Sequence, residues 1–363
     1  MKVVVIGTRG IPGIQGGVET HCENLYPELV KLGCDVTVIR RRCYVNPDYD
    51  VDTYKGVKII DTWAWRNKNL EAALHTMMAV FKARTMHPDI VHIHAIGPSL
   101  FAPLARLLGM KVVSTHHGAD YKRAKWGWMA RMMLRLGQWC QVKTANRIIA
   151  ISESIADDLA YHHGRSKGVD VICNGVGAPT NPTGHQYLDS LGLERGNYIL
   201  TLARFVPEKR LDLLIDAYSR CDTHGMKLVI AGDSDHDNPY SRALKERATA
   251  AGATMTGFIK GEQLAEIMDG AALFVLPSAH EGLPISLLEA MTWGIDVLAS
   301  DIDANRLPEL NDSDFFACGD IDSLCAALER KTGAPAARRT YDMNRYMWPT
   351  IARATLDTYN ATI

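Results

Sequence analysis

Short runs of Val, Ile and other apolar residues alternate with stretches of helical periodicity along almost the whole chain, and the alternation restarts once. The first set places strands at 2–7, 35–39, 58–61, 89–94, 111–115, 147–151 and 170–173, with helices such as 18–32 and 98–108 between them. Gly33 and Gly109 stand where those two helices should stop. Continuous apolar strands separated by helices predict a parallel sheet covered on both faces. Residues 177–184, rich in Gly and Pro, break the pattern and read as a linker. Beyond it, strands are expected at 197–203, 227–231, 254–258, 272–276 and 296–300, and helices at 211–220, 241–251, 261–269, 285–293 and 322–331.

The fold class that follows is α/β, with two tandem doubly wound, Rossmann-like domains over 1–184 and 185–340. Residues 341–363 add a helix expected to start at Pro349 and to pack across the domain junction. Its Ala352, Leu356, Tyr359 and Ile363 share one helical face. In such sheets ligands bind at the carboxyl ends of the strands, so two facing domains would enclose a deep crevice.

The bulk properties agree with two ordinary globular domains: 363 residues, 22% charged and 47% hydrophobic. The net charge of −1 conceals an asymmetry, with 23 Lys+Arg against 15 Asp+Glu up to residue 184 and 17 against 26 beyond it. The two halves should therefore meet different partners. Eight cysteines without a CxxC pair point to a reduced, cytoplasmic protein. No signal peptide and no run near the roughly 20 apolar residues of a membrane span are seen. At most the protein lies on the inner face of a membrane.

Chemistry concentrates at four places. The stretch Glu281-Gly282-Leu283-Pro284-Ile285-Ser286-Leu287-Leu288-Glu289 follows an apolar strand and opens a helix, with Pro284 suited to the first helical position. Free backbone donors around Leu283, Ile285 and Ser286 would suit a phosphate. Glu281 and Glu289 would flank it and accept hydroxyl hydrogen bonds, although two glutamates on a solvated helix give the same pattern. Arg204 and Lys209 follow strand 197–203 at its ligand-binding end and suit a diphosphate leaving group.

The third place is the glycine-rich loop 7–19, where Gly16 and Gly17 would let backbone approach a diphosphate closely; it is not GxGxxG. Histidines form the fourth. His92 and His94 share a strand face, and His116-His117-Gly118 ends the next strand, so four imidazoles could converge. No metal site is expected, because no recognisable ligand spacing completes them; His117 is the one expected to face a sugar. Separately, residues 121–152 hold seven Lys/Arg and no acid, with Trp126, Trp128 and Trp139. This suits an anionic membrane surface, or a helix packed on the core with its other face solvated. No nucleic-acid motif accompanies it, and no nucleic-acid partner is expected.

Taken together, Gly16-Gly17, His117-Gly118, Asn174-Gly175-Val176, Arg204 with Lys209, Gly257-Phe258-Ile259 and the two glutamates followed by Ala290-Met291 resemble the retaining family-4 glycosyltransferases of the two-domain GT-B type. The opening from Ile6 to Glu19 resembles a subgroup that builds bacterial surface polysaccharides and includes rhamnosyltransferases. That resemblance implies a nucleotide-sugar donor and a glycan or lipid-linked glycan acceptor, with no cofactor and no metal. Arg204 and Lys209 would hold the diphosphate, Glu289 the ribose, and Glu281 the sugar ring. The backbone at Phe258 and Ile259 would read the base, and His117 would face the reacting carbon. Pro284 stands where many members have Gly, and Gly177 where an Asp often follows Asn-Gly-Val. An epimerase or phosphorylase on the same fold, or a binding partner without turnover, are the competing functions.

Overall fold

The computed structural model describes residues 1–14, 16–45, 47–63, 71–122, 127–234 and 238–363, the side chains of Asp48 and Lys122 excepted. Gln15 of the glycine-rich loop and Arg123, Lys125 and Trp126 of the basic segment thus lie outside the described residues. The chain forms two compact units, residues 1–175 with 344–363, and residues 176–343.

The first unit contains, in chain order, β1 (Lys2–Ile6), α1 (Gly17–Lys31), β2 (Asp35–Arg41), β3 (Thr53–Tyr54), β4 (Val57–Thr62), α2 (Glu71–Thr85), β5 (Ile90–His94), α3 (Ala102–Leu107), β6 (Val112–His116), α4 (Trp128–Thr144), β7 (Arg147–Ala150), α5 (Glu153–His163) and β8 (Val169–Val171). Its sheet runs β3-β4-β2-β1-β5-β6-β7-β8. Every pairing is parallel except the short β3–β4 hairpin. Val3, Val4, Val5 and Ile6 are fully buried, as a strand covered on both faces requires. Only part of 98–108 is α-helical: a 3₁₀ turn over Pro98–Phe101 precedes α3.

The second unit contains α6 (Gln186–Ser190), β9 (Tyr198–Leu202), α7 (Leu211–Tyr218), β10 (Lys227–Ala231), α8 (Pro239–Ala250), β11 (Thr254–Gly257), α9 (Glu262–Gly270), β12 (Leu273–Leu276), α10 (Ile285–Thr292), β13 (Asp296–Ser300), β14 (Phe315–Phe316) and α11 (Ile321–Thr332). Its parallel sheet runs β11-β10-β9-β12-β13-β14. Asn238 caps α8 in a reciprocal box with Ser241, and Asp320 caps α11. Helix α7 buries Leu211, Leu213, Leu214 and Ile215 in the unit's core.

The chain leaves the first unit after Gly175, nine residues before the boundary expected from the Gly- and Pro-rich linker. The closing helix, α12 (Trp348–Asn360), belongs wholly to the first unit's core through Trp348, Ile351, Ala352 and Tyr359 and packs against α1. Of the face expected, Ala352 and Tyr359 are buried and Leu356 packs against the same core, while Ile363 lies past the end of the helix and is 59% exposed. Gly175 explains the crossing point. A Cβ there would lie 2.3 Å from the Trp348 ring, so only glycine admits the indole. All eight cysteines are free thiols. Among the described residues no helix is long and apolar enough to cross a membrane.

Candidate active site

In the second sheet the strand order reverses between β9 and β12, and a crevice opens outside their carboxyl ends at such a switch point. Loops from both strands meet there. The Ala279 N–H donates to the Glu208 carbonyl at 2.8 Å, tying the segment after β12 to the segment after β9. The Phe205 N–H donates to the Asp233 carbonyl at 3.1 Å and brings in the loop after β10. Phe205, 2% exposed, anchors the turn that carries Arg204 on one side and Lys209 on the other.

Lys209 Nζ lies 2.5 Å from Glu281 Oε1, and the two side chains are only 18% and 10% exposed. A charge-assisted contact in so dry a place fixes both groups. Arg204 is half-buried, two residues past β9. The structure thus brings Lys209 and Glu281 together, as the sequence alone did not require. Glu208 Oε2 and Ser278 Oγ are buried there with no hydrogen-bond partner among the described residues.

Eight residues further on, Glu289 has a different setting. Helix α10 starts at Ile285, as the sequence suggested, with Pro284 at its cap (φ −75°, ψ 112°) rather than at the first helical position. The Leu287 and Leu288 N–H groups already donate to the Pro284 carbonyl at 3.2 and 3.3 Å, while Ile285 and Ser286 are half-exposed. Glu289 projects from the second turn onto a pocket of 340 Å³ lined also by Gly261, Leu264, Met268 and Trp293. Burial without an offsetting cation pushes its carboxyl up to about 7. Gly257 and Gly261 bracket the segment before α9, where Phe258 is 55% exposed and Ile259 is buried. Leu283 is buried too.

In the first unit, the order reverses between β1 and β5, and the glycine-rich loop follows β1. Its amides are partly used by the protein: Arg9 N–H donates to Glu19 Oε1 at 3.0 Å and Gly13 N–H to Glu23 Oε2 at 2.9 Å. Gly16 and Gly17 open α1, and nothing lies within 4 Å of where a Gly17 Cβ would be.

The histidines assemble in part as the strand alternation implies. His94 Nδ1 is 2.9 Å from His117 Nε2, and the two rings stack with centroids 5.2 Å apart. His92 Nδ1 is 2.6 Å from the Tyr359 hydroxyl and 3.0 Å from that of Tyr26, which also hydrogen-bonds His94 Nε2. His92 Nε2 reaches Thr115 Oγ1 at 2.7 Å. His116 does not join them. Adjacent to His117, it accepts instead from the Gly118 N–H at 3.1 Å. The member that the sequence reading missed is His21 of α1, whose ring centroid is 5.2 Å from that of His117. Its Nδ1 bonds Asn174 Oδ1 at 3.2 Å. Its spacing from Leu25 on a buried helical face was the available signal.

Burial holds His21, His92 and His94 neutral, pulling His92 down to about 3 and His21 to about 4, with His94 well below the ordinary imidazole value. Their nitrogens are engaged with hydroxyls, an amide and one another. Among the described residues no group of three or more His, Cys, Asp or Glu side chains is arranged to hold a metal.

Residues 15–178 match the family model described as Glycosyltransferase Family 4, and residues 187–330 match Glycosyl transferases group 1. The glycogen synthase of Mycobacterium tuberculosis is 26% identical over 99% of this chain and 95% of its own length. The UDP-Gal:alpha-D-GlcNAc-diphosphoundecaprenol alpha-1,3-galactosyltransferase of Escherichia coli is 27% identical, covering 74% of this chain and 72% of its own. Among solved structures, Anabaena HepE in complex with UDP and glucose superposes with a TM-score of 0.79 at 17% identity, over 99% of this chain and all of that one. With two Rossmann-like sheets in tandem and both family models matched in order, the chain is a GT-B-fold glycosyltransferase of the family-4 type.

Proposed function

We propose that the protein moves a sugar from a nucleoside-diphosphate donor to a hydroxyl of a bacterial surface glycan, or of its lipid-linked precursor, with retention and without a metal ion. The observation that carries this is the Lys209–Glu281 pair at the β9/β12 switch point, with Arg204 beside it on the same loop. Two cations there suit a pyrophosphate and would offset the charge that develops as the bond from the anomeric carbon to the phosphate oxygen breaks. Glu281, held against Lys209, is placed to accept from a sugar hydroxyl. Glu289 and its pocket suit a ribose, with the base over Phe258 and Ile259 and phosphate oxygens at the start of α10 (Leu283, Ile285, Ser286). The acceptor oxygen would attack on the leaving-group face and form the new glycosidic bond, and its proton would pass to the departing phosphate oxygen.

The named relatives support the donor and acceptor classes: HepE was captured with UDP, and the galactosyltransferase's own name carries a UDP-sugar and a diphosphoundecaprenol acceptor. A rhamnosyl or hexosyl donor, and a cytoplasmic site of action, complete the reading. It is tested by incubating purified protein with UDP-, dTDP-, GDP- and ADP-sugars and diphosphoundecaprenol-linked acceptors. Product mass and the anomeric coupling constant are then read with and without EDTA. An α-linked product from an α-linked donor, unaffected by chelator, is expected. Donor conversion without acceptor, or loss of activity with EDTA, would contradict it.

A further inference from the structure

Helix α4 buries Gly137, Gln138, Cys140, Gln141 and Val142, all small or polar apart from Val142, yet exposes Trp128 (74%), Met129 (57%), Met132 (55%), Leu136 (49%) and Trp139 (53%). Its inner face is specified by close approach and polar fit. A Cβ on Gly137 would lie 2.2 Å from the Ile96 carbonyl oxygen, and Gln141 Nε2 donates to Ser114 Oγ at 2.6 Å. The largest apolar side chains of α4 thus leave about half or more of their surface in solvent. At 3.6 residues per turn, positions 128, 129, 132, 136 and 139 fall within roughly 100° of arc, a continuous stripe.

The stripe has neighbours. Leu107 on α3 is 84% exposed and Phe81 on α2 is 50% exposed; α3 packs against α4, and α2 against α3. Exposed Arg131, Arg135 and Lys143 border it on α4 itself, within a segment of 32 residues (121–152) that has no Asp or Glu.

We propose that this face docks on an anionic lipid bilayer, with the tryptophans at the headgroup boundary, Met132 and Leu136 in the acyl region and the basic side chains on lipid phosphates. Three features favour that occupant. Tryptophan near both ends of the stripe suits a boundary that is apolar on one side and wet on the other. Cations without any acid suit a negative surface, whereas a second copy of this chain would bring the same positive charge to the contact. A helix of 17 residues with basic flanks lies in an interface rather than crossing it. The inference rests on the proposed lipid-linked acceptor only for its purpose: the same surface would hold the enzyme where such an acceptor's phosphates lie.

The test is co-sedimentation of the full chain with vesicles of phosphatidylcholine, or of phosphatidylcholine mixed equally with phosphatidylglycerol, alongside sedimentation velocity without lipid. Wild type is expected to partition to the anionic vesicles with a blue-shifted tryptophan emission, and less so at high salt. Trp128→Ala combined with Trp139→Ala should reduce partitioning by at least about tenfold with an unchanged melting temperature, since both side chains already face solvent. Arg131→Gln with Lys143→Gln should abolish the preference for anionic over neutral vesicles. Wild type remaining in the supernatant, or equal binding by all variants, would overturn the proposal. So would a dimer in velocity runs that the tryptophan variants dissociate. Release of nucleoside diphosphate with a water-soluble acceptor is followed in parallel. Protein that floats but does not turn over counts against the transferase reading and leaves the docking surface standing.

Discussion

The ammonium of Lys209 and the carboxylate of Glu281 meet at 2.5 Å across the point where the second sheet changes direction, although 72 residues separate them. Each lies on a loop whose backbone is stitched to the other through the Glu208 carbonyl and the Ala279 amide. On the proposed reading this pair supplies a cation for the leaving group and an acceptor for sugar hydroxyls, and preorganised charge costs no rearrangement at the moment of reaction.

Glu281→Gln separates the two roles. The variant keeps the shape but removes the charge that neutralises Lys209, so UDP should bind more tightly to it by calorimetry while kcat falls. Lys209→Ala and Arg204→Ala should each lower kcat by more than about tenfold, at least about 1.4 kcal/mol of lost leaving-group stabilisation. Unchanged turnover in both would remove the pyrophosphate assignment.

Glu289 gives a pH signature. Its folded value of about 7 is above the ordinary carboxylate value because of burial, so the folded chain holds a proton that the unfolded chain has released. Stability should therefore fall as the pH rises from about 4.5 through 7, by at most about 3 kcal/mol, and Glu289→Gln should flatten that slope in urea titrations. If ribose hydroxyls bind the ionised form, donor affinity should instead rise with pH, approaching about tenfold per unit below 7. A pH-independent dissociation constant would exclude that contact.

Asp314 tests what holds the second unit together at the far side of its sheet. Fully buried, it accepts from Arg339 Nη1 at 2.6 Å and Lys331 Nζ at 2.8 Å, and both cations also bond Asp296. Burial opposes its charge, but these donors and the Asn311 N–H hold its carboxyl below the usual range. That contribution is present above the unfolded carboxylate's value and is lost as the pH falls through the lower folded one. Asp314→Ala should cost about 3 kcal/mol by leaving two cations underpaired, readable as a lowered melting temperature.

Tyr26 acts on His117 through His94. Its hydroxyl bonds His94 Nε2, whose other nitrogen bonds His117 Nε2, and with His94 neutral one proton placement dictates the next. Tyr26→Phe should destabilise by about 1–2 kcal/mol and lower kcat while leaving the KM for donor unchanged. A purely structural tyrosine would leave kcat unaltered at temperatures where the variant is folded.

Much of the architecture was legible because parallel strands buried on both faces read as continuous apolar runs, as 3–6 and 273–276 do. Other features depend on strand order or on tertiary contact. Phe315–Phe316 is too short to show a period, and it is a strand because β13 offers an edge. Composition marks the Gly- and Pro-rich 177–184 stretch, whereas the first compact unit already ends at Gly175, which packs on Trp348. His116 and His117 read alike as neighbours, yet alternation sends them to opposite environments. The stripe on α4 was periodic in sequence; that it faces outward is decided by Gly137 and Gln141, which fit the inner surface better.

The most direct measurement is a crystal structure of the protein soaked with UDP. The pyrophosphate should lie against Arg204, Lys209 and the start of α10, the ribose on Glu289, and the base beside Phe258 and Ile259. Density for the nucleotide away from those residues, with the Lys209–Glu281 contact untouched, would contradict the account at its centre.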